Sequence, residues 1–280
     1  MPSHVAPFLP DRFRSAVPFY VKGRLDYPPR LIESLAAWLG VTSGERVLDL
    51  GCGPGFLALA FAELGYAVTG MDPDRSMLAA AKELATRRGV ACEFREGSSY
   101  DLQPALGSFT LVTMGRSFHW MDRVATLAAL DSIVEPRGAI ALFRDHHIKC
   151  RENLWVEAFE RARLRFEDRD DFSKRRKSGE VDGHETVLLN SAFSRLDKIG
   201  VIERRSITLD GLVARALSYS ASSPEKLGER RSEFEAAIQE AVSPFAENDT
   251  LSELVDFTAL IARRPSAPAP TNGSHLAERA

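Results

Sequence analysis

The feature that most constrains this chain is an apolar strand that runs directly into a glycine turn and then into a helix. Residues 47–55 read Val-Leu-Asp-Leu-Gly-Cys-Gly-Pro-Gly, and residues 56–64 contain no helix breaker. Alternate glycines let the backbone turn tightly and approach a ligand closely, because no Cβ is in the way. Free N–H groups at the start of the next helix point into the same space. This order predicts the nucleotide-binding corner of a doubly wound α/β domain.

Short apolar strands and longer helices alternate along the first half of the chain. The predicted strands are 46–50, 67–72, 91–96, 109–114 and 138–144, followed by strand-like sequence at 193–209 and 254–261; the predicted helices are 31–39, 56–64, 74–88 and 123–133. Such alternation implies right-handed crossovers and a mostly parallel sheet. We therefore expect a Rossmann-like α/β fold, with a doubly wound seven-stranded sheet, helices on both faces and a helical cap insertion.

Composition and charge argue against several classes of protein. The 280 residues carry 36 basic and 39 acidic side chains, a net charge of −3, so a nucleic-acid partner is not expected. Cys52, Cys92 and Cys150 lack metal-ligand spacing, and their odd number suits a reducing compartment. No apolar run approaches the roughly 20 residues of a membrane span, and no signal-peptide pattern is seen. We expect a cytoplasmic protein without a metal or a membrane partner; its oligomeric state stays open.

Two acidic residues flank the glycine turn. Asp49, two residues before Gly51, can act electrostatically on a ligand ammonium group. Asp72 follows the glycines by about 20 residues, the spacing of an acid that binds ribose hydroxyls, although it could instead cap the helix near Asp74. The spacing G-x-G-x-G differs from the dinucleotide fingerprint G-x-G-x-x-G. The pattern favours a ligand in which a nucleoside carries a methionine group, bound through its methionine and ribose groups, over a dinucleotide bound through its pyrophosphate.

Three segments carry a family resemblance. They are residues 47–55, then Gly-Met-Asp-Pro-Asp-Arg-Ser-Met-Leu at 70–78, and Met-Gly-Arg-Ser-Phe-His-Trp-Met-Asp at 114–122. Together they resemble the class I S-adenosylmethionine-dependent methyltransferases, especially the small-molecule branch that includes trans-aconitate methyltransferase-like proteins. Residues 20–28 also resemble the N-terminal segment of that branch. The resemblance implies S-adenosyl-L-methionine as cofactor, S-adenosyl-L-homocysteine as its product, and methyl transfer as the activity.

The resemblance assigns four residues to the methionine end of the cofactor, and the chemistry of arginine adds Arg24. Gly51 and Gly53 would line the methionine part, Gly115 would approach its chain, and Asp49 would lie near its amino group. Arg24 is included because it could meet the carboxylate of the cofactor, or that of an acidic substrate. A solvated arginine is the alternative interpretation of Arg24.

Five more residues are assigned to the adenosine end. Asp72 would hold the ribose hydroxyls, while Pro73 and Met77 would pack on the adenine. Relatives usually place an acid at the position of Ser98, and Ser99 follows it. A serine hydroxyl can accept from the adenine amine, but without charge assistance the bond should be weaker.

The acceptor is expected just after the fourth strand, at the carboxyl edge where ligands of open α/β sheets bind. His119 is the candidate catalytic residue, because it titrates near neutrality and could take a proton from a hydroxyl or amine. It could instead cap a helix or bond to backbone. Arg116 could meet a carboxylate. Since methyl transfer mainly requires alignment in a dry site, no base is obligatory.

The chain is divided into four parts around this core. Residues 1–30, rich in proline and aromatics, are interpreted as an irregular N-terminal arm over the cofactor site. Residues 31–147 and 190–264 would form the methyltransferase core with cap elements, and 148–189 the helical cap insertion. Residues 265–280 are predicted to be a disordered tail. The cap should shape the acceptor pocket and close on binding.

We predict in-line methyl transfer from the sulfonium to a small-molecule acceptor, with oxygen favoured and nitrogen next. Three alternatives stay open. A nucleotide-linked oxidoreductase would need the longer glycine spacing, and a non-catalytic S-adenosylmethionine-binding relative is suggested only by Ser98. A nucleic-acid methyltransferase of the base-flipping amino type would resemble its relatives in an Asn-Pro-Pro-Tyr-like motif after strand four, which this chain lacks.

Overall fold

A seven-stranded sheet runs through the computed structural model, which describes residues 5–6, 8–10, 12–167, 174–175 and 178–265. The strands are β1 Arg46–Leu50, β2 Ala67–Asp72, β3 Glu93–Glu96, β4 Phe109–Gly115, β5 Val134–His147, β6 Arg195–Thr208 and β7 Thr250–Arg263. Their order across the sheet is β3-β2-β1-β4-β5-β7-β6. β7 is antiparallel to both of its neighbours, and the other pairs are parallel. The predicted Rossmann-like, mostly parallel sheet is confirmed.

Helices cover both faces of this sheet. The described helices are α1 Val17–Gly23, α2 Pro29–Leu39, α3 Phe56–Glu63, α4 Arg75–Arg88, α5 Arg123–Leu130, α6 Trp155–Leu164, α7 His184–Leu189, α8 Leu209–Leu217, α9 Pro224–Leu227 and α10 Arg231–Val242. α2 and α3 bury one face, and α5 and α7 the other. Val47 and Leu48 of β1 face these opposite clusters, as the alternation of side chains along a strand requires. None of the described helices is long and apolar enough to cross a membrane.

A third apolar cluster, the helical layer, is formed by α6, α8 and α10 beside the sheet. Trp155 and Phe159 of α6 share it with Leu212 of α8 and with Phe234 and Ile238 of α10. The layer is drawn from two places in the chain, since α6 follows β5 whereas α8 and α10 lie between β6 and β7. The predicted cap insertion 148–189 therefore contributes α6 to the layer, while its α7 packs on the sheet.

The structure corrects some of the expected boundaries. The N-terminal arm is not irregular throughout, because Val17–Gly23 form α1 with a proline in the first turn, where its fixed φ suits a helix. β5 is longer than predicted and continues to His147, paired with β7 over its last nine residues. The tail beyond residue 265 lies outside the described residues, as do most of the charged runs at 167–171 and 174–177.

One buried ionic group ties the helical layer to the sheet. The guanidinium of Arg215 on α8 donates to both oxygens of Glu253 on β7, at 2.6 and 3.0 Å, and also to the carbonyl of Gly23. His147 on β5 lies 2.9 Å from the same carboxylate, which has no exposed surface. Burial alone would raise the pKa of Glu253, but His147 and Arg215 hold it at about 2. α8, β5 and β7 meet at this carboxylate, and α1 is joined to them through Arg215.

We expect Glu253→Gln to lower the free energy of unfolding by about 3–5 kcal/mol at pH 7, because Arg215 then stays buried without its counter-charge. The native pKa of Glu253 lies below its ordinary value of 4.5, so this stabilisation exists above about pH 4.5 and is lost as the pH falls toward 2. Urea unfolding of both proteins between pH 7 and pH 3 measures the difference. The exposed pair Glu83 and Arg87 offers a control, Glu83→Gln, that should show no such difference.

Candidate functional site

The glycine turn after β1 is bound to β2 through its backbone. The N–H groups of Gly51 and Cys52 both donate to the carbonyl of Met71, at 2.7 and 3.0 Å. Gly51 has a φ of +71°, and a Cβ there would lie 2.5 Å from the Cβ of Ser117. Both the positive φ and the close approach therefore require glycine at this position. The turn is thus held by β2 and by close packing against Ser117.

The carboxylate of Asp72 holds the next part of the same turn. It accepts from the N–H of Gly53 at 2.8 Å and from the N–H of Asp74 at 2.9 Å. The cap of α4 is Asp74, whose carboxylate accepts from Ser76 and Met77, so the capping role considered for Asp72 belongs to its neighbour. Burial raises the pKa of Asp72 to about 6, against the effect of the two backbone donors.

Asp49 lies beneath the turn rather than at its open side. One oxygen accepts from the N–H of Ala58 at 3.1 Å, and the other accepts from the hydroxyl of Thr113 at 3.0 Å. Burial raises the pKa of Asp49 to about 7 despite these two bonds. The carboxylate thus ties β1 to the first turn of α3 and to β4. It also borders a narrow cavity lined by Tyr27 and Gly115.

Eight of the ten predicted cofactor residues line one cavity at the carboxyl edge of the sheet, which is called the cofactor cavity. They are Gly51, Gly53, Asp72, Pro73, Met77, Ser98, Ser99 and Gly115. Asp49 borders the narrow cavity beside it, which shares Tyr20, Gly51, Gly115 and Arg116 with the first. Arg24 lines neither of these cavities. The roles assigned to the individual residues stay predictions.

Ser98 has local partners of its own. Its hydroxyl donates to Asp101 at 2.8 Å and accepts from the N–H of Tyr100 at 3.2 Å, while its N–H donates to the same carboxylate. These bonds form a capping box on a short 3₁₀ turn. One lone pair of the hydroxyl remains for a ligand, which is consistent with a weaker contact than a free acid would make.

The N-terminal arm contributes residues that the sequence did not single out. Phe8 and Phe13 line the cofactor cavity. The Phe8 ring meets Tyr100 edge-on with centroids 5.5 Å apart, and Phe13 meets Trp120 at 6.0 Å. The arm as a whole was predicted to lie over the cofactor site, but nothing in the spacing of its aromatic residues indicated which of them would line the cavity.

Two buried polar atoms show that the cavity suits S-adenosylmethionine. The hydroxyl of Tyr27 and one carboxylate oxygen of Asp74 have no hydrogen-bond partner in the described structure. Asp74 lines the cofactor cavity beside Asp72, and Tyr27 lines the narrow cavity beside Asp49. The ribose hydroxyls and the ammonium group of the cofactor are donors, so they complement these acceptors. The residues present therefore fit this cofactor.

A second cavity, of about 340 Å³, adjoins the first and is called the acceptor cavity. The two share Phe13, Tyr20, Arg116 and Trp120. His119 lines the acceptor cavity and not the cofactor cavity. It lies on a 3₁₀ turn after β4, with its ring centroid 4.5 Å from that of Trp120. His119 therefore lies close to the cofactor cavity without lining it.

Arg116 stands between the two cavities. Its φ of +65° is rare for a residue with a side chain and marks local strain where the chain leaves β4. The guanidinium donates to Asp145 at 2.6 Å and to the carbonyl of Leu25 at 3.2 Å. The pKa of Asp145, which burial would raise, is lowered by this arginine. The carboxylate that Arg116 meets is thus one of the protein's own.

Comparisons with known proteins concern the part of the chain that contains most of the predicted cofactor residues. Residues 47–138 match the family described as the methyltransferase domain. Residues 47–138 form a methyltransferase domain. The resemblance to class I S-adenosylmethionine-dependent methyltransferases and the cofactor expected from it are confirmed at this level, while the trans-aconitate-like branch stays a prediction.

Individual relatives cover part of the chain. An uncharacterized methyltransferase of Mycobacterium tuberculosis is 32% identical over 130 residues, which are 46% of this chain and 50% of that protein. A ubiquinone biosynthesis O-methyltransferase of Pseudomonas aeruginosa is 33% identical over 102 residues, 36% of this chain and 44% of the relative. The chain thus spans about half the length of the curated relatives it matches.

A solved structure extends the similarity to the fold. The crystal structure of an S-adenosylmethionine-dependent methyltransferase from Thiobacillus denitrificans, in complex with S-adenosyl-L-homocysteine, superposes with a TM-score of 0.51. It is 17% identical and covers 92% of this chain and 100% of its own. At this identity the likeness shows a shared fold.

We expect Asp72→Asn to weaken binding of S-adenosyl-L-homocysteine by roughly 1.5–3 kcal/mol, the worth of hydrogen bonds to a charged group. Titration calorimetry at pH 8 measures the affinity. In the wild type the affinity should fall as the pH drops through about 7 and 6, because Asp49 and Asp72 take up protons there. In Asp72→Asn the fall in affinity near pH 6 should be absent. Unchanged affinity in Asp72→Asn, with Glu83→Gln as control, would contradict ribose binding by this carboxylate.

Proposed function

We propose that the protein is a methyltransferase that moves the methyl group of S-adenosyl-L-methionine to a small-molecule acceptor, with oxygen as the favoured acceptor atom and nitrogen next. The observation that carries this proposal is the pair of adjoining cavities at the carboxyl edge of the sheet. One fits the cofactor, and the other is large enough for a metabolite-sized molecule. The O-methyltransferase activity named for the Pseudomonas aeruginosa relative supports the preference for oxygen.

The cofactor supplies a methyl group already activated on a sulfonium, so the protein's main task is to align the acceptor and exclude water. Phe13, Tyr20 and Trp120 form the boundary between the cavities. Their rings provide an apolar border where the transfer would take place. The salt bridge from Arg116 to Asp145 fixes the polar side of the same border. The adenosine and methionine ends are oriented by the residues of the glycine turn and by Asp72.

His119 is the residue proposed to take a proton from a hydroxyl or amine acceptor. It lies on the wall of the acceptor cavity, beside Trp120. The ring of His184, which belongs to the predicted cap insertion, lies with its centroid 6.5 Å from that of His119. An acceptor that arrives as an anion would not need this proton transfer. A small-molecule acceptor, the absence of a nucleic-acid partner and a cytoplasmic location stay predictions.

We expect His119→Ala to lower kcat by 10²–10⁴-fold, roughly the range for loss of a general base, with S-adenosyl-L-homocysteine affinity unchanged. Turnover is followed as S-adenosyl-L-homocysteine release with hydroxyl and amine acceptors, and affinity by calorimetry. His146→Ala is the matched control, because that imidazole is half exposed and lies against Asp256. Equal turnover in both variants would remove His119 from the reaction.

A further inference from the structure

The two outer strands of the sheet differ greatly in length. β3, on one side, has four residues, whereas β6, on the other, has 14 and pairs with β7 alone. Within the described part of the chain, the backbone of residues 195–203 forms hydrogen bonds only with β7. Since the backbone groups of a strand point alternately to its two sides, every second residue of this segment presents its N–H and C=O groups outward. The outer side of β6 is therefore an edge to which another strand can be added.

β6 lacks most of the devices that prevent strand addition. Exposed edges are commonly protected by a short strand, a proline or a bulge. β6 contains no proline, and its pairing with β7 continues without a shift in register. Its remaining protection is charge, but Arg195 and Lys198 alternate with Asp197 and Glu203, so both signs are present. An edge of this kind repels a second strand in some registers and attracts it in others.

The charges of β6 are complementary to those of a second copy of β6. Two antiparallel copies related by a two-fold axis place one residue opposite itself, and this residue sets the register. With Ile199 on the axis, Arg195 of each copy lies opposite Glu203 of the other. Leu196 lies opposite Ile202 in the same register. Every contact occurs twice by symmetry, and residues 195–203 bring no like charges opposite each other.

The neighbouring registers are less favourable. Moving the axis by one residue toward the C-terminus places Asp197 opposite Glu203, and moving it by two places Lys198 opposite Arg204. Like charges directly opposite each other destabilise a pair of strands. An axis one residue earlier, or three residues later, forms no ion pair. Of these five registers, the one centred on Ile199 combines ion pairs with the absence of charge repulsion.

Large apolar side chains are exposed at this edge on both faces of the sheet. Ile202 is 54% exposed and shares a face with Leu196, which packs on the cluster of α5 and α7. On the face covered by α2, Trp38 is 41% exposed. Its ring centroid lies 4.3 Å from the guanidinium of Arg263, which is paired with Asp197 of β6 at 3.3 Å. Pairing of two β6 strands would cover Ile202 with Leu196 of the second copy, so apolar burial favours the same register.

We infer that two copies of this chain form a dimer through antiparallel pairing of their β6 strands, with Ile199 on the two-fold axis. The two seven-stranded sheets then become one continuous sheet. The inference is independent of the proposed function, because no residue of β6 lines the cofactor cavity or the acceptor cavity. Each copy keeps its own site. The competing interpretation is that the charges of β6 keep the chain monomeric.

The test measures the mass of the full chain in solution by sedimentation velocity over a series of concentrations. The wild type should have twice the 30.9 kDa of one chain and dissociate on dilution. Arg195→Glu and Glu203→Arg should each raise the Kd of the dimer about tenfold or more, because like charges then lie opposite each other twice. The variant with both substitutions should recover most of the wild-type affinity, since the ion pairs are restored in the opposite sense.

Arg95→Glu is the matched control, because Arg95 lies on the other edge strand and is likewise paired with a glutamate of its own strand, Glu93. It should leave the dimer unchanged. Circular dichroism shows that each variant is folded. In the wild type, hydrogen exchange of the amides within 195–203 should slow as the protein concentration rises, which tests the edge without any substitution.

Three results would overturn the inference. The wild type could sediment as a single chain even at high concentration. A dimer could form whose Kd neither Arg195→Glu nor Glu203→Arg changes, which would place the interface elsewhere. The single variants could weaken the dimer while the variant with both substitutions stays as weak as they are, which would contradict direct pairing of Arg195 with Glu203.

Discussion

The site depends on one constraint, the attachment of the glycine turn to the neighbouring strand. The backbone N–H groups of Gly51 and Cys52 share the carbonyl of Met71, and Asp72 accepts from Gly53. The acceptors of all three bonds lie on β2, so the turn cannot open unless β1 and β2 separate. Asp49 secures the other side of the turn by accepting from Ala58 in α3. The ligand-facing backbone is thus set by the core of the sheet, and little ordering is left to be done on binding.

The cofactor half could be predicted from the sequence because its signals are local. Strand, turn and helix follow one another within residues 46–64, and the spacing from Gly53 to Asp72 reflects the length of one helix and one strand. One role could not be decided from the sequence. Asp49 was assigned to the cofactor from its position in the motif; its carboxylate accepts from Ala58 and Thr113 and borders the narrow cavity, and its contact with the cofactor stays a prediction. Nothing in a single sequence distinguishes an acid that meets a ligand from one that bonds to backbone.

The acceptor half could not be predicted in the same way, since it is made by pairs distant in sequence. Arg24 meets Ser218, Arg116 meets Asp145, and Arg215 meets Glu253. Such pairings follow from the topology, which brings α1 and α8 together beside the ends of β5 and β7. The family match ends at residue 138, before most of these partners. Most of the predicted cofactor residues thus lie in one continuous segment, whereas the walls of the acceptor cavity come from distant parts of the chain.

The close packing of Gly23 on α8 has a consequence for how the molecule is assembled. Its partner Arg215 lies late in the chain, and the carboxylate of Glu253 that neutralises Arg215 comes later still. Contacts of such long sequence separation form slowly, because a large loop must close before they are rewarded. During synthesis the donor pocket can take shape while the acceptor wall is still waiting for β7. In the proposed reaction, methyl donor and methyl acceptor would therefore meet where contacts local in sequence adjoin contacts of long sequence separation.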